Sequence, residues 1–284
     1  MVTHPSLTDP IYILVPVHNR REVTRRLMEC LTAQTVRGIR LVLVDDGSTD
    51  GTSAMVHEYF PDAAVIRGDG NLWWGGALQK GYAYIRKSNV REDDFVLILN
   101  DDTEFLPDFL ETGIQLLNGR RGVFLQAASF SRRTGEFLDA GVRANWKKLT
   151  FEPVRESPNC LSTRGLLFRF ADLQTTGGFH PVLLPHYASD YEFTLRASRK
   201  GISLESSLEF RLNVDESTTG IHNVTGARRR DRFKELFSKR SATNPIYFSS
   251  FVLLACPWKY VPINLFRIWR GAWKQIFRPG RFLE

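Results

Sequence analysis

Cysteine is scarce in this sequence, and long apolar runs are missing from it. The 284 residues include three cysteines, Cys30, Cys160 and Cys256, which are too few and too widely spaced for a disulfide scaffold or a cysteine-rich zinc module. No run approaches the roughly 20 apolar residues that cross a bilayer. The first ten residues also lack the basic-then-apolar pattern of an export signal. These absences favour a protein of a reducing compartment that is built around an ordinary hydrophobic core.

Two common phosphate-binding signatures are also missing. No GxGxxG motif follows the first apolar run, where the sequence reads Pro16-Val17-His18-Asn19-Arg20, and no GxxxxGK[ST] motif occurs. Such loops hold the phosphates of dinucleotides and nucleoside triphosphates on backbone N–H groups. Their absence disfavours a nicotinamide-dependent dehydrogenase and a P-loop NTPase.

The excess of positive over negative charge is confined to one end of the chain. The net charge is +7, yet residues 225–284 hold 13 Lys and Arg against 3 Asp and Glu, while the other residues hold 25 against 28. A nucleic-acid-binding protein would spread basic residues over a groove of its body. The slightly acidic body therefore argues against nucleic acid as a partner.

Short apolar runs alternate with segments of helical periodicity over the first hundred residues. Runs typical of strands covered on both faces lie at 11–17, 40–44, 64–67 and 94–99, with helical periodicity at 22–33, 52–59 and 77–87. This alternation predicts an α/β fold, a Rossmann-like and mostly parallel sheet flanked by helices. The middle of the chain is less regular, with strands expected at 123–127 and 163–171 and a helix at 190–200 that ends at Gly201.

Two acidic pairs each follow a predicted strand. Asp45-Asp46 and Asp101-Asp102 fall at the carboxyl ends of strands, where parallel sheets bind their ligands. Adjacent carboxylates repel each other unless a cation or hydrogen-bond donors compensate them. Asp101-Asp102 therefore suggests a site for Mg²⁺ or Mn²⁺. Asp45 or Asp46 can instead accept hydrogen bonds from ribose hydroxyls or a base N–H.

The basic end of the chain predicts an amphipathic helix over 257–277. Apolar and aromatic residues share one side of it, and Arg and Lys share the other: Leu265, Ile268, Trp269, Ala272, Trp273 and Ile276 against Arg267, Arg270, Lys274 and Arg278. Trp with Arg and Lys suits the headgroup boundary of an anionic membrane. We favour this reading over the alternative, a terminal helix packed on the body with its basic side in water.

Six segments together carry a family resemblance. VPVHNR (15–20), VDDGSTDGT (44–52), GDGNLWWGGALQKG (68–81) and LNDDTEF (99–105) precede TTGGF (175–179) and SDYEFTLRASRKG (189–201). In this order they resemble family 2 glycosyltransferases of the GT-A type, and the NLWWGGA variant is similar to bacterial rhamnosyltransferase-like members. The resemblance covers residues 11–222. We therefore predict a GT-A catalytic domain at 1–222, with a nucleotide-binding half (11–105) and an acceptor-side half (106–222), followed by a basic amphipathic tail (223–284).

The resemblance implies a reaction and its partners. A sugar would move from a UDP- or dTDP-sugar to a hydroxyl of a lipid-linked or cell-surface glycan acceptor, with inversion and with Mn²⁺ or Mg²⁺ on the diphosphate. The protein would work in the cytoplasm, peripherally at the inner face of the cell membrane. The QxxRW signature of processive synthases is absent, which favours one sugar per encounter.

Three rival functions fit parts of the pattern. A sugar nucleotidyltransferase would need a Gly-rich loop bearing Arg or Lys after the first strand, unlike VPVHNR. A nucleotide-sugar-binding protein without turnover would need no carboxylate at Asp190. A peripheral membrane scaffold would leave both acidic pairs unexplained.

Matching positions to the family motifs assigns roles to single residues. Asp102 matches the metal-binding acid, with His222 as a possible late ligand, and Gly177, Gly178 and His186 fall on the acceptor side. Trp73 and Trp74 can either stack on the donor or fill the core beneath their loop, and His18 can either contact the base or be structural. The donor-binding set is Pro16, His18, Asn19, Asp45, Asp46, Asn71, Trp73, Trp74, Gly75, Gly76 and Asp101.

The same matching places the catalytic base at Asp190, with Glu192 as the second candidate. The two are about 200° apart on a helix, so only one of them can face the site. We expect Asp190 to keep an ordinary pKa of ~4 and to need positioning only. Arg196 and Arg199 are expected on the solvated side of this helix.

Overall fold

Strands and helices alternate along the first half of the chain, and most of the remaining strands follow in the middle. The structure, a computed structural model, describes residues 10–217 and 228–277. The strands are β1 (Ile11–Val17), β2 (Ile39–Asp45), β3 (Ala64–Arg67), β4 (Phe95–Ile98), β5 (Thr103–Glu104), β6 (Val123–Ser131), β7 (Phe137–Asp139), β8 (Val142–Asn145), β9 (Thr150–Pro153), β10 (Leu166–Arg169) and β11 (Ser203–Val214). The helices are α1 (Arg21–Thr32), α2 (Thr52–Tyr59), α3 (Trp73–Lys87), α4 (Phe109–Leu116), α5 (Phe170–Thr176), α6 (Ser189–Arg199), α7 (Arg229–Leu236), α8 (Pro245–Ala255) and α9 (Val261–Phe277), with a short 3-10 helix at Trp258–Tyr260.

One twisted sheet organises the molecule, and only β8 and β9 form a separate hairpin. Strands β3, β2, β1 and β4 lie side by side in that order and run parallel. Beyond β4 the sheet is mixed, because β10 runs antiparallel between β4 and β6, whereas β11 runs parallel beside β6. The predicted α/β class is confirmed, and its parallel character belongs mainly to the N-terminal half.

Both faces of the sheet are covered by helices. Ile13 and Val15 of β1 pack with the buried side chains of α1, α2 and α4, whereas Leu14 packs with those of α3 and α6. Successive strand residues point to opposite faces, so a strand that is buried on both sides needs an uninterrupted apolar run. This requirement explains why β1, β2 and β4 appear in the sequence as clear apolar runs.

One strand that lacks such a run was not predicted. β11 is 12 residues long, and Ser, Glu, Arg and Asn interrupt its apolar residues, so it has no continuous apolar signal. The predicted strand at 163–171 is shorter than expected, since β10 spans Leu166–Arg169 and the chain then turns into α5. The predicted strand is confirmed over residues 166–169 and is wrong at both of its ends.

The basic C-terminal segment is packed onto the body of the protein. Phe251 of α8 is fully buried in a cluster with Leu184, Trp146 and Tyr191. Asn264 of α9 donates a hydrogen bond to the backbone oxygen of Trp146 at 2.9 Å. Helices α8 and α9 therefore cover the β8–β9 hairpin and the start of α6. The boundary predicted at residue 223 stays a prediction.

The outer surface of α9 presents a second apolar face. Ile268 and Ala272 are buried, whereas their neighbours Trp269 and Trp273 are 49% and 63% exposed. Consecutive helix residues point about 100° apart, so the single apolar side expected from the sequence is divided into a packed face and an open one. Among the described residues, no helix is both long and apolar enough to cross a membrane.

We predict that Ile268→Ala lowers the free energy of unfolding by roughly 2 kcal/mol, because it leaves a cavity between α9 and α8. Trp273→Ala removes a larger but exposed side chain and should change the stability by less than about 0.5 kcal/mol. Urea denaturation of the two variants beside the wild type measures both values. Equal stabilities of all three proteins would show that α9 is not docked in solution.

Candidate active site

A cavity of about 260 Å³ opens at the carboxyl edge of the parallel strands. Its volume is close to the lower end of the range of about 300–1,000 Å³ that is usual for small-molecule sites. Residues from six separate parts of the chain meet there, and three of these parts follow β1, β2 and β4, which all end at this edge. The lining residues are Pro16, Val17, His18, Arg20, Asp46, Gly70, Trp73, Trp74, Ala77, Asp101, His186 and Arg240.

The first acidic pair is compensated by the protein itself. Asp46 accepts three backbone N–H hydrogen bonds, from Gly70 and Leu72 at Oδ1 (2.9 and 3.1 Å) and from Trp73 at Oδ2 (3.0 Å). Asp45 accepts hydrogen bonds from the Ser48 N–H (2.7 Å) and from the Ser53 hydroxyl. Asp46 therefore holds the loop before α3 in place and lines the cavity. Its predicted donor contact, like that of Asp45, stays a prediction.

The loop after β1 lies against this acidic pair. The Nδ1 atom of His18 is 2.6 Å from the backbone oxygen of Asp46. The Asn19 side-chain oxygen accepts the Thr49 N–H at 2.8 Å. Both side chains are exposed, so His18 combines a structural contact with a position in the cavity wall, while Asn19 fastens one loop to the next.

The two tryptophans differ in their surroundings. Trp73 has a left-handed backbone (φ +58°), which is unfavourable for a bulky residue. Its indole ring stands edge-on to the His186 imidazole at 5.5 Å between centroids, and its buried Nε1 has no hydrogen-bond partner among the described residues. Trp74 packs partly against the core beneath the loop. The aromatic group with an unused donor in the cavity is therefore Trp73.

The glycines of the motifs allow close contacts between segments. A Cβ on Gly75 would lie 2.3 Å from the backbone oxygen of Leu184, and the Gly75 N–H donates to the Pro185 oxygen at 2.8 Å. A Cβ on Gly178 would lie 2.3 Å from the Gln79 side-chain oxygen. These glycines let α3 approach residues 178–186, which places His186 at the cavity.

The remaining members of the predicted donor and acceptor sets have simple local roles. Gly76 packs against Leu72 within α3, and Asn71 is exposed, with its N–H donating to Asp69 at 3.0 Å. Gly177 ends α5 with φ +88°, a backbone conformation that favours glycine. Contacts of these residues with a substrate stay predictions.

The second acidic pair is compensated by Arg20. Its Nε lies 3.0 Å from Asp101 Oδ2, and its Nη2 lies 3.3 Å from Asp102 Oδ2. Both carboxylates are almost completely buried. Burial raises the pKa of Asp101 to about 7, the charge of Asp102 adds to this increase, and Arg20 opposes it. No role was predicted for Arg20, although it lies three residues after the end of β1, in the same motif as His18.

The donor set of this pair fits a hard dication. Mg²⁺ and Mn²⁺ use one or two carboxylates together with phosphate oxygens and water. The Asn100 side-chain oxygen next to the pair is buried and has no hydrogen-bond partner among the residues described. Within 10–217 and 228–277, no group of three or more His, Cys, Asp or Glu could hold a metal ion. A dication here would need oxygen ligands from its substrate. His222 lies outside the described residues.

Asp190 lies at the start of α6, beside the segment that precedes β10, and it is not among the residues that line the cavity. Its Oδ1 accepts the Tyr191 N–H at 2.9 Å, and Arg164 and Thr163 face the carboxylate. Leu166 pairs with Ile98 in antiparallel strands. Residues 163–165, which precede β10, and residues 99–102, which follow β4, therefore lie at the same edge of the sheet. Burial raises the pKa of Asp190 to about 6, opposed by the Tyr191 N–H and by Arg164. The expectation of an ordinary pKa was therefore wrong.

Glu192 is held in an internal ion pair. It is 1% exposed, and its two oxygens accept from Nε and Nη2 of Arg196, both at 2.9 Å. Arg196 also donates to the backbone oxygens of Thr176 and Gly178. The prediction that Arg196 is solvated was wrong, because the buried Glu192 carboxylate requires a cation. Of the two acids, Asp190 is the one without such a bidentate partner among the described residues.

Comparison with known proteins identifies a family pattern that covers β1 to β10. Residues 12–174, more than half of the chain, match the family model described as Glycosyl transferase family 2. A Mycobacterium tuberculosis protein described as N-acetylglucosaminyl-diphospho-decaprenol L-rhamnosyltransferase is 24% identical over 110 residues, which cover 37% of this chain and 36% of that protein. The matched segment spans about a third of the length of the first curated relatives.

Solved structures share the architecture over almost the whole chain. A Pyrobaculum calidifontis mannosyltransferase in complex with GDP-Man and Mn²⁺ is 16% identical, with a TM-score of 0.55 over 98% of this chain and 78% of that one. TarS of S. aureus in complex with UDP-GlcNAc is 14% identical, with a TM-score of 0.58 over 94% and 81%. These likenesses concern the fold, and they confirm the predicted GT-A architecture.

Proposed function

The chain belongs to glycosyl transferase family 2, and from that premise we propose that it moves a sugar from a nucleotide-diphosphate donor to an acceptor hydroxyl. The proposed donor is a UDP- or dTDP-sugar, and the proposed acceptor is a lipid-linked or cell-surface glycan. One observation carries the proposal: the cavity at the sheet edge joins an aromatic wall at Trp73 to the buried Asp101, and Arg20 links Asp101 to the buried Asp102. Such a site can take a flat base, a diphosphate and a dication together.

The acids and Arg20 would receive the diphosphate end of the donor. Asp102, with Asp101 beside it, would hold Mn²⁺ or Mg²⁺. When bound, the dication supplies Lewis-acid stabilisation of the charge that grows on the leaving diphosphate. Arg20 orients both carboxylates, because its guanidinium spans them. Asp46 holds the loop that carries Trp73, against which the base or sugar would stack.

Asp190 would act as the general base. The acceptor oxygen forms a bond to the anomeric carbon while the bond from that carbon to the diphosphate breaks, and the hydroxyl proton passes to Asp190. Attack opposite the leaving group inverts the anomeric centre. A carboxylate whose pKa is raised to about 6 is still ionised at neutral pH and is a stronger base than an ordinary aspartate.

The open face of α9 would bind an anionic lipid surface. Phe266, Trp269 and Trp273 are exposed along one side of the helix, and the exposed Arg270 and Lys274 lie beside them. Aromatic rings flanked by cations match the headgroup region of an anionic bilayer. The excess of positive charge in residues 225–284 supports the same partner. We propose accordingly that the protein works peripherally at the inner face of the cell membrane.

We predict that Asp102→Asn removes the metal dependence of nucleotide binding. Calorimetry with UDP and dTDP should show that Mn²⁺ tightens binding to the wild type, and the variant should lose at least about tenfold of that gain, or ~1.4 kcal/mol. Asp108→Asn, at an exposed carboxylate before α4, is the matched control and should bind as the wild type does. Wild-type binding that is equal with and without Mn²⁺ would contradict the cation role.

We predict that Asp190→Asn leaves UDP or dTDP binding unchanged and lowers kcat at least about 100-fold. In the wild type, kcat should fall about tenfold per pH unit below pH 6, because protonation of Asp190 removes the base. Arg164, Asp139, Tyr191 and the Cys160 thiol are the titratable groups around it. Product formation measured between pH 5 and pH 8 tests this. Unaltered turnover in the variant would move the base elsewhere.

We predict that the double variant Trp269→Ala, Trp273→Ala binds anionic vesicles at least about tenfold more weakly, since it loses the apolar anchor. Co-sedimentation with phosphatidylglycerol vesicles measures binding, which should also weaken at high salt. Tyr84→Ala, at an exposed aromatic residue of α3, is the control. Binding of the double variant equal to that of the wild type would exclude this face of α9 as the membrane contact.

A further inference from the structure

One cation in the wall of the cavity comes from the far end of the chain. Arg240 lies between α7 and α8, more than 130 residues beyond Asp101, which lines the same cavity. Its guanidinium carbon is 5.8 Å from the centroid of the Trp73 ring, within the range of a cation–π contact. The C-terminal segment therefore completes the site at the sheet edge.

The backbone around Arg240 is fixed by hydrogen bonds. The Asn244 side chain donates to the Ser238 oxygen at 3.0 Å and accepts the Ile246 N–H at 3.0 Å, which begins α8. Ser241 is buried beside Arg240, and α8 is anchored by the buried Phe251. The side chain of Arg240 is itself exposed to the cavity. A charged group is thus presented to the cavity from a well-anchored turn.

The two arginines that line the cavity differ in their partners. Arg20 is engaged by Asp101 and Asp102, whereas Arg240 forms no ion pair with a carboxylate in the part of the chain that the structure describes. A dication bound by these two carboxylates beside Arg20 leaves a net charge of only +1, whereas the leaving diphosphate carries several negative charges. An additional cation is therefore needed at the diphosphate, and a guanidinium matches phosphate oxygens with paired N–H donors.

We propose that Arg240 binds the diphosphate of the nucleotide donor and stabilises it as it leaves. The proposal rests on the function proposed above and adds a residue from outside the matched family region, which ends at residue 174. Trp73 acts as a positioning residue, because its ring supports the guanidinium and its backbone is held by Asp46.

The test compares each nucleoside diphosphate with the corresponding nucleoside, which lacks the phosphates. Calorimetry with Mn²⁺ measures the Kd of UDP, dTDP, uridine and thymidine for the full chain. Arg240→Ala should raise the Kd of the diphosphates about tenfold, as expected for the loss of a charge-assisted contact, and should leave the nucleosides within about twofold. Arg240→Lys should restore part of the affinity, and its kcat should exceed that of Arg240→Ala.

Lys239→Ala is the matched control, because it removes the same charge one residue away from the cavity wall. It should bind UDP and dTDP as the wild type does. Unchanged diphosphate binding by Arg240→Ala would overturn the proposal, and so would an equal loss for diphosphates and nucleosides. If the wild type bound neither UDP nor dTDP, the proposed function would fail and the role of Arg240 with it. Wild-type binding with an indifferent Arg240→Ala would reject only the role of Arg240.

Discussion

Buried carboxylate charge at one edge of the sheet is the constraint on which the site depends. Three backbone N–H groups compensate Asp46, whereas an arginine compensates the others: Arg20 for Asp101 and Asp102, and Arg196 for Glu192. A buried charge without a partner is strongly destabilising. The compensating groups therefore fix the positions of the loops that carry them, and the cavity has its shape because these acids must be satisfied.

The same constraint connects α6 to the start of α3. Arg196, held by Glu192, also binds the backbone oxygens of Thr176 and Gly178, and Gly178 lies against Gln79 of α3. Gly75 then brings the start of α3 into contact with Leu184 and Pro185. A chain of close contacts thus runs from the helix that carries Asp190 to the loop that carries Trp73.

Sequence periodicity predicted the parallel strands well, because burial on both faces leaves an unbroken apolar run, as in β1 and β4. It missed β11, whose polar residues conceal its pairing, and the first turn of α3, where two glycines mask a helix. The motifs located the acids, but the partners Arg20, Arg196 and Arg240 depend on tertiary contacts. The raised pKa of Asp190 depends on burial, which a linear motif does not record.

The location of Arg240 changes what counts as the catalytic unit. A version of the protein that stops at the end of the motif-bearing region would lose one wall of its own cavity and would uncover the apolar surfaces beneath Phe251 and Ile268. Residues 228–277 therefore complete both the cavity and the core. Shortening the chain to obtain a minimal enzyme would impair the pocket and the fold together, whereas single substitutions on the outer side of α9 would leave both intact.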